Sequence, residues 1–364
     1  MRARVSYGSV PPVTFAFVIG RTPSPSLGAL LDQLEAELID RGWERSGQDD
    51  AKLILNVVDT EAPRPFRRHA RGTYAATIYD GPSDEALAIL GASYPLLVRS
   101  LANLVLANVG DAVWFTTMER GNYRASGSPL AAVVLDRLLP LATARLVIEN
   151  DFRRDLEAGL WEGDALTAEI AAAGRRIDKL GLLPAPFPIE DLLDARDLRH
   201  VHRLYGIGGL SYGNLSARKD AKRFWMSASG VDKTQLEIPG RDILLVSDYD
   251  ADRGVIILSV PPDVAPRRVS VDAIEHWMIY QAHPDVGAIL HVHGWLDDIP
   301  TTEFNYPCGT EELAISVADA IADADDPAHA VIGLTNHGIT ATGDSLTEIL
   351  DRIGARLRPQ VPMA

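Results

Sequence analysis

Apolar residues recur along this chain in two rhythms, short continuous runs bounded by turn residues and longer stretches with apolar positions three and four apart. The runs predict strands at Val13–Ile19, Lys52–Val58, Thr73–Ile78 and Val113–Met118, and the 3.6-residue rhythm predicts helices at Leu27–Ile39 and Asp84–Asn108. Further on, Asp164 stands as the N-cap of a helix that places Leu166, Ile170, Ala173, Ile177 and Leu180 on one face and stops at Gly181. The proline-rich stretch 183–188 interrupts before a second helix at Leu192–Tyr205. Gly208 and Gly209 then lead into a strand-turn segment with Asn214, and Phe224–Met226 forms another strand. Ser270 is the expected N-cap of a helix carrying Ile274, Trp277 and Met278, and Leu346–Leu357 forms the last helix. The pattern predicts an α/β domain over 1–163 and a second domain over 164–364, with the boundary just before Asp164.

With 364 residues, 46% of them hydrophobic, the chain is long enough for two domains with substantial cores. Its 35 basic and 50 acidic residues give a net charge of −15, which argues against nucleic acid or an anionic membrane as partner and leaves a small-molecule substrate. Arg64, Arg67, Arg68, His69 and Arg71 form a basic cluster that reads as a solvated face, since no phosphate loop stands beside it. The single cysteine, Cys308, rules out an internal disulfide and fits a reducing, cytoplasmic setting; Tyr306–Gly309 offers it no evident base. The apolar stretch near Phe15–Ile19 is too short for a membrane span, and Pro11 and Pro12 precede it without a cleavage site, so no signal peptide is expected.

The candidate chemistry sits at His291-Val292-His293, which closes an apolar run, and at Asn336-His337-Gly338. Residues two apart on a strand share a face, so the first two imidazoles can converge on one ion and His337 can add a third nitrogen. Three histidines with an open position form a catalytic rather than a closed metal site. Asp272, 291 − 272 = 19 positions earlier in the first turn of its helix, can act as a fourth ligand or as a general base. His276 shares its helix face four residues on, and His200, His202 and His283 have no evident role in the set. Gly230 lets backbone N–H groups approach an anion beside Ser229, and Ser270 adds a hydroxyl at a helix N-terminus.

The segments Gly213–Arg218, Ser227–Val231, Tyr280–Pro284, His291–His293 and Asn336–Gly338 resemble, in order, the motifs of the class II aldolase/adducin family. The resemblance covers the second half of the chain. Tyr280–Pro284 with His291–His293 looks most like ribulose-phosphate 4-epimerases, which also carry Asp where fuculose-phosphate type aldolases carry Glu. It implies a layered α/β domain with a central, mostly antiparallel sheet, usually assembled as a homotetramer. It implies a divalent metal, Zn2+ foremost with Mn2+, Fe2+ or Co2+ as alternatives, on His291, His293, His337 and Asp272. It also implies a substrate phosphate held by Asn214, Ser229, Gly230 and Ser270. The activity expected is that of a metal-dependent carbon–carbon lyase, with 4-epimerisation or a non-catalytic adducin-like role as alternatives. Two departures stand out. The interval of 337 − 293 = 44 residues is short, with Leu296–Thr302 in place of a helix, and no tyrosine follows Tyr306 to serve as the family's proton donor.

Overall fold

The computed structural model describes residues 13–66, 72–117, 121–182, 189–205, 213–359 and 361. Arg67, Arg68, His69, Arg71, the stretch 183–188, Gly208 and Gly209 therefore lie outside the described residues. The chain divides into two compact units, Met1–Thr117 with Tyr123–Thr143, and Met118–Asn122 with Ala144–Ala364.

The first unit runs β1 (Thr14–Ile19), α1 (Pro25–Asp40), β2 (Glu44–Arg45), β3 (Leu53–Val57), β4 (Tyr74–Asp80), α2 (Ala86–Ser100), β5 (Leu104–Asn108), β6 (Ala112–Thr117), β7 (Gly121–Ser126) and α3 (Leu130–Thr143). Its sheet has the order β2-β1-β3-β4-β5-β6-β7. The strands β2, β1, β3, β4 and β5 pair in parallel and β6 joins antiparallel. Ser24 caps α1 by accepting from the Leu27 amide, and Leu27, Leu30, Leu31, Leu34 and Leu38 form its buried stripe. The helix expected over Asp84–Asn108 ends instead at Ser100, where Leu101 takes a left-handed backbone at φ 55°, and Leu104–Asn108 is a fully buried strand. A buried strand shows no polar alternation, which is why its apolar run resembles more helix.

The second unit contains β8 (Glu149–Arg153), α4 (Ala165–Asp178), α5 (Ala195–Tyr205), β9 (Gly213–Arg218), β10 (Phe224–Ser227), β11 (Ile243–Asp250), β12 (Val255–Ser259), α6 (Ala273–Ala282), β13 (Ala288–Val292), α7 (Glu311–Ala322), β14 (Val331–Leu334), β15 (Gly338–Gly343) and α8 (Leu346–Ile353). Its sheet is ordered β14-β15-β13-β9-β10-β11-β12-β8, antiparallel throughout except where β8 pairs in parallel with β12. Because β8 belongs to this sheet, the division falls ahead of the stretch 144–163 rather than after it, where the apolar pattern placed it.

The period-2 alternation of the central strands builds two cores. Leu215, Ala217, Leu290, Val292, Ile339 and Ala341 face α4 and α8. Phe224, Met226, Ile289 and Ile332 face α6 and α7. Asp164 caps α4 as expected, accepting from the amides of Leu166 and Thr167 while Thr167 answers with its hydroxyl in a capping box. Leu296–Thr302 is irregular, as its sequence suggested, with Asp298 at φ 58° and a bridge from Thr301 to Gly333. Among the described residues no helix is long and apolar enough to cross a membrane.

Candidate metal centre

One row of side chains crosses three adjacent strands of the second sheet. In register, Asn214 of β9 faces His291 of β13, and His291 faces Thr340 of β15, so all three project from one side. The helix α6 covers that side. Asn214 donates through Nδ2 to Asp272 at 2.8 Å, Thr340 donates to Glu275 at 2.6 Å, and Ser216, two residues from Asn214, bonds His276 Nδ1 at 2.7 Å and the Tyr280 hydroxyl at 2.8 Å. A helix that is apolar on most of its buried face thus brings four polar groups onto the strand row. Asn214, Ser216, Asp272, Glu275, His276, His291, His337 and Thr340 are all buried.

His293 follows the last residue of β13, and His337 closes the turn Thr335–His337 between β14 and β15. Asn336 adopts φ 57° there, a conformation that suits Asn among the non-glycine residues. A Cβ on Gly338 would stand 2.2 Å from the Val292 carbonyl oxygen, so only glycine lets this hairpin approach the end of β13. The result is a triangle of imidazoles with ring centroids 5.3 Å (His291–His293), 4.7 Å (His291–His337) and 4.9 Å (His293–His337) apart. Their candidate ligand nitrogens lie within 4.8 Å of one another. Ligands of one tetrahedral ion at ~2.0–2.1 Å stand roughly 3.3 Å apart, so each nitrogen needs to move by no more than about 1 Å to close on a shared ion.

The tautomer of His291 follows from its surroundings. Nδ1 lies 3.1 Å from the Ile339 carbonyl, which can only accept, so Nδ1 carries the proton and Nε2 keeps the lone pair a metal needs. Burial, reinforced by the nearby His291, drives the His276 pKa well below the ordinary imidazole range and keeps that ring neutral against Ser216.

Asp272 departs from expectation in its place on the helix. It is itself the N-cap residue of α6, without a side-chain capping bond, and Ser270 lies two residues ahead of that cap. One of its carboxylate oxygens accepts from the Asn214 side-chain amide. The segments that carry Ser229 and Ser270 pair with each other: the Ser229 amide donates to the Arg268 carbonyl, the Ser270 amide donates to the Ser227 carbonyl, and Ala228 bridges Val269. Ser229 and Gly230 are exposed, Gly230 at φ 63°, while Ser270 is buried.

Three neighbours escaped the sequence. Glu275 reads as an ordinary helix glutamate, Thr340 as a strand residue, and Cys308 as an isolated thiol, yet its Sγ lies 3.5 Å from His337 Nε2. No spacing could have revealed that pair, because it joins the loop ahead of α7 to the β14–β15 turn.

Residues 197–297 match the family described as Class II Aldolase and Adducin N-terminal domain. The second unit resembles that family. No curated protein matches the chain. Among solved structures, an L-fuculose 1-phosphate aldolase is similar at 19% identity, covering 53% of this chain and 83% of its own, with a TM-score of 0.35. An l-fuculose-1-phosphate aldolase from Thermus thermophilus is similar at 22% identity, 52% and 89% coverage and a TM-score of 0.29. The N-terminal class II aldolase domain of a conserved protein from Thermoplasma acidophilum is similar at 15% identity, 55% and 93% coverage and a TM-score of 0.33.

Proposed function

We propose that the second unit is a metal-dependent carbon–carbon lyase acting on a small hydroxy-carbonyl compound, with His291, His293 and His337 as the ligands of a divalent ion, zinc foremost. The observation that carries this reading is the convergence of three buried imidazoles whose ligand atoms lie within 4.8 Å of one another. An all-nitrogen set of three fits zinc and leaves a position for substrate. When bound, the ion supplies Lewis-acid polarisation of a substrate carbonyl.

The remaining work falls to the chain's own groups. Retro-aldol cleavage needs a base to take a hydroxyl proton while the adjacent carbon–carbon bond breaks. Asp272 is our assignment for that base, with Asn214 fixing one of its oxygens and the other handling the proton. The Nδ1–H of His291, donated to Ile339, holds the ring in the orientation that presents Nε2. Ser229, Gly230 and Ser270, beside Asn214, are the groups proposed to bind an anionic substituent such as phosphate, and the joined segments 227–229 and 268–270 support grouping them. A sugar-phosphate 4-epimerase runs the same cleavage and rejoins the fragments on the opposite face; aspartate at 272 favours it as the second reading. The adducin-like reading is disfavoured by retention of all three histidines.

The test is a retro-aldol screen of phosphorylated and free ketoses with the metal-loaded protein, following both fragment release and epimer formation. Fragment release supports the lyase, and epimer formation without free fragments supports the second reading. Neither activity across the panel, with the metal present, overturns both.

A further inference from the structure

The first unit carries a crevice at the carboxyl ends of β1 and β3. In its sheet β1 continues through α1 to β2 on one side, while β3 is followed by β4 on the other, so the connections diverge between β1 and β3. Where connections diverge in a parallel sheet, a crevice opens beyond the carboxyl ends of the two strands, a recurrent place for ligands. Such a crevice is present here, with a volume of about 320 Å³.

Its lining has a distinct division of labour. Val57, Val58 and Phe66 form a buried apolar wall, and the buried Asn56 sets an amide among them. Asp59, half-buried, and Arg64, exposed, stand at the rim. The Asn56 Nδ2 donates to the Arg64 carbonyl at 3.4 Å, tying the loop after β3 back to the strand. Gly20 ends β1 against Val57, where a Cβ would come within 2.8 Å of the Val57 oxygen.

We propose that this crevice binds a nucleoside monophosphate. The apolar wall with Phe66 receives the planar base, Asn56 offers both a donor and an acceptor to the base edge, Asp59 accepts from ribose hydroxyls, and Arg64 pairs with the phosphate. A volume near the lower end of small-molecule pockets suits one nucleotide. Nothing in this assignment depends on the chemistry of the second unit.

Titration calorimetry of the full chain with AMP, GMP, CMP and UMP tests it, with adenosine and inorganic phosphate as separate arms. One monophosphate is expected to saturate a single site, with its nucleoside and free phosphate each binding at least tenfold more weakly. Asn56→Leu and Arg64→Ala should each weaken binding at least tenfold, and Ser229→Val should leave it unchanged. Should Asn56→Leu fail to fold by circular dichroism, the exposed Arg64 decides. Absence of saturation by all four at millimolar concentration overturns the proposal, as does unaltered binding by Arg64→Ala. Loss of binding in Ser229→Val would place the nucleotide on the other unit and overturn it equally.

Discussion

Replacing Ser216 with alanine strands two buried groups at once, because one hydroxyl serves both His276 Nδ1 and the Tyr280 phenol. A buried polar group left without its partner costs about 1–3 kcal/mol, so Ser216→Ala should destabilise the second unit by roughly 2–4 kcal/mol in denaturant titration, while Ser216→Thr should recover part of the loss. A loss below about 0.5 kcal/mol would mean that water takes over both bonds. Asp272→Asn tests a different role. On the assignment of Asp272 as base, metal content stays at the parental level while turnover falls by at least two orders of magnitude; lost metal on the same preparation would instead make it a ligand. The histidine set was legible in the sequence because a short apolar strand with two imidazoles two apart allows few arrangements. Glu275, Thr340 and Cys308 were not, because their partners come from other elements and only the folded sheet brings them together.

The helix α4 shows how one side chain can both start an element and fasten it. Burial works against ionisation of Asp164, but the Lys219 ammonium at 2.8 Å, the Thr167 amide and the Trp225 indole N–H together hold its carboxyl below the usual range. A carboxyl depressed in the folded state contributes stability that is present above its unfolded value near 3.8 and is lost as pH falls through the folded value. Asp164→Ala should therefore cost about 1–2 kcal/mol at neutral pH. The gap between variant and parent should close in urea titrations below pH 3.8, and a gap unchanged there would contradict the charge contribution. The capping box and the apolar stripe of α4 were readable because both lie within one helix. By contrast β5 looks like helix in the sequence: no glycine marks the turn at Leu101, and a strand buried on both faces carries no alternation. The N-cap of α6 lies two residues beyond its expected place, at Asp272, while the Ser270 amide pairs with the Ser227 carbonyl.

Each unit has its own sheet and its own buried residues, among them a cluster around Ile54, Phe66 and Ala75 in the first and clusters around Ile274 and around Leu290 in the second. A ligand that binds only the native state of one unit stabilises that unit alone, by about 2.7 kcal/mol at a hundredfold excess over Kd. Calorimetry with and without a chelator should therefore shift one unfolding transition and leave the other in place. Equal displacement of both would contradict a metal confined to the second unit. The existence of two α/β bodies was legible from the run lengths and caps, whereas the fate of 144–163 was not, because β8 finds its partner β12 about a hundred residues later and nothing local announces it. The most direct measurement is elemental analysis of the untreated 364-residue chain beside His293→Ala, with circular dichroism on both. Three converging imidazoles predict about one divalent ion per chain in the parent and less than a tenth of that in the variant, with folding preserved. Full occupancy in His293→Ala, or a parent that binds no divalent ion even after reconstitution, would contradict the metal centre on which the proposed chemistry rests.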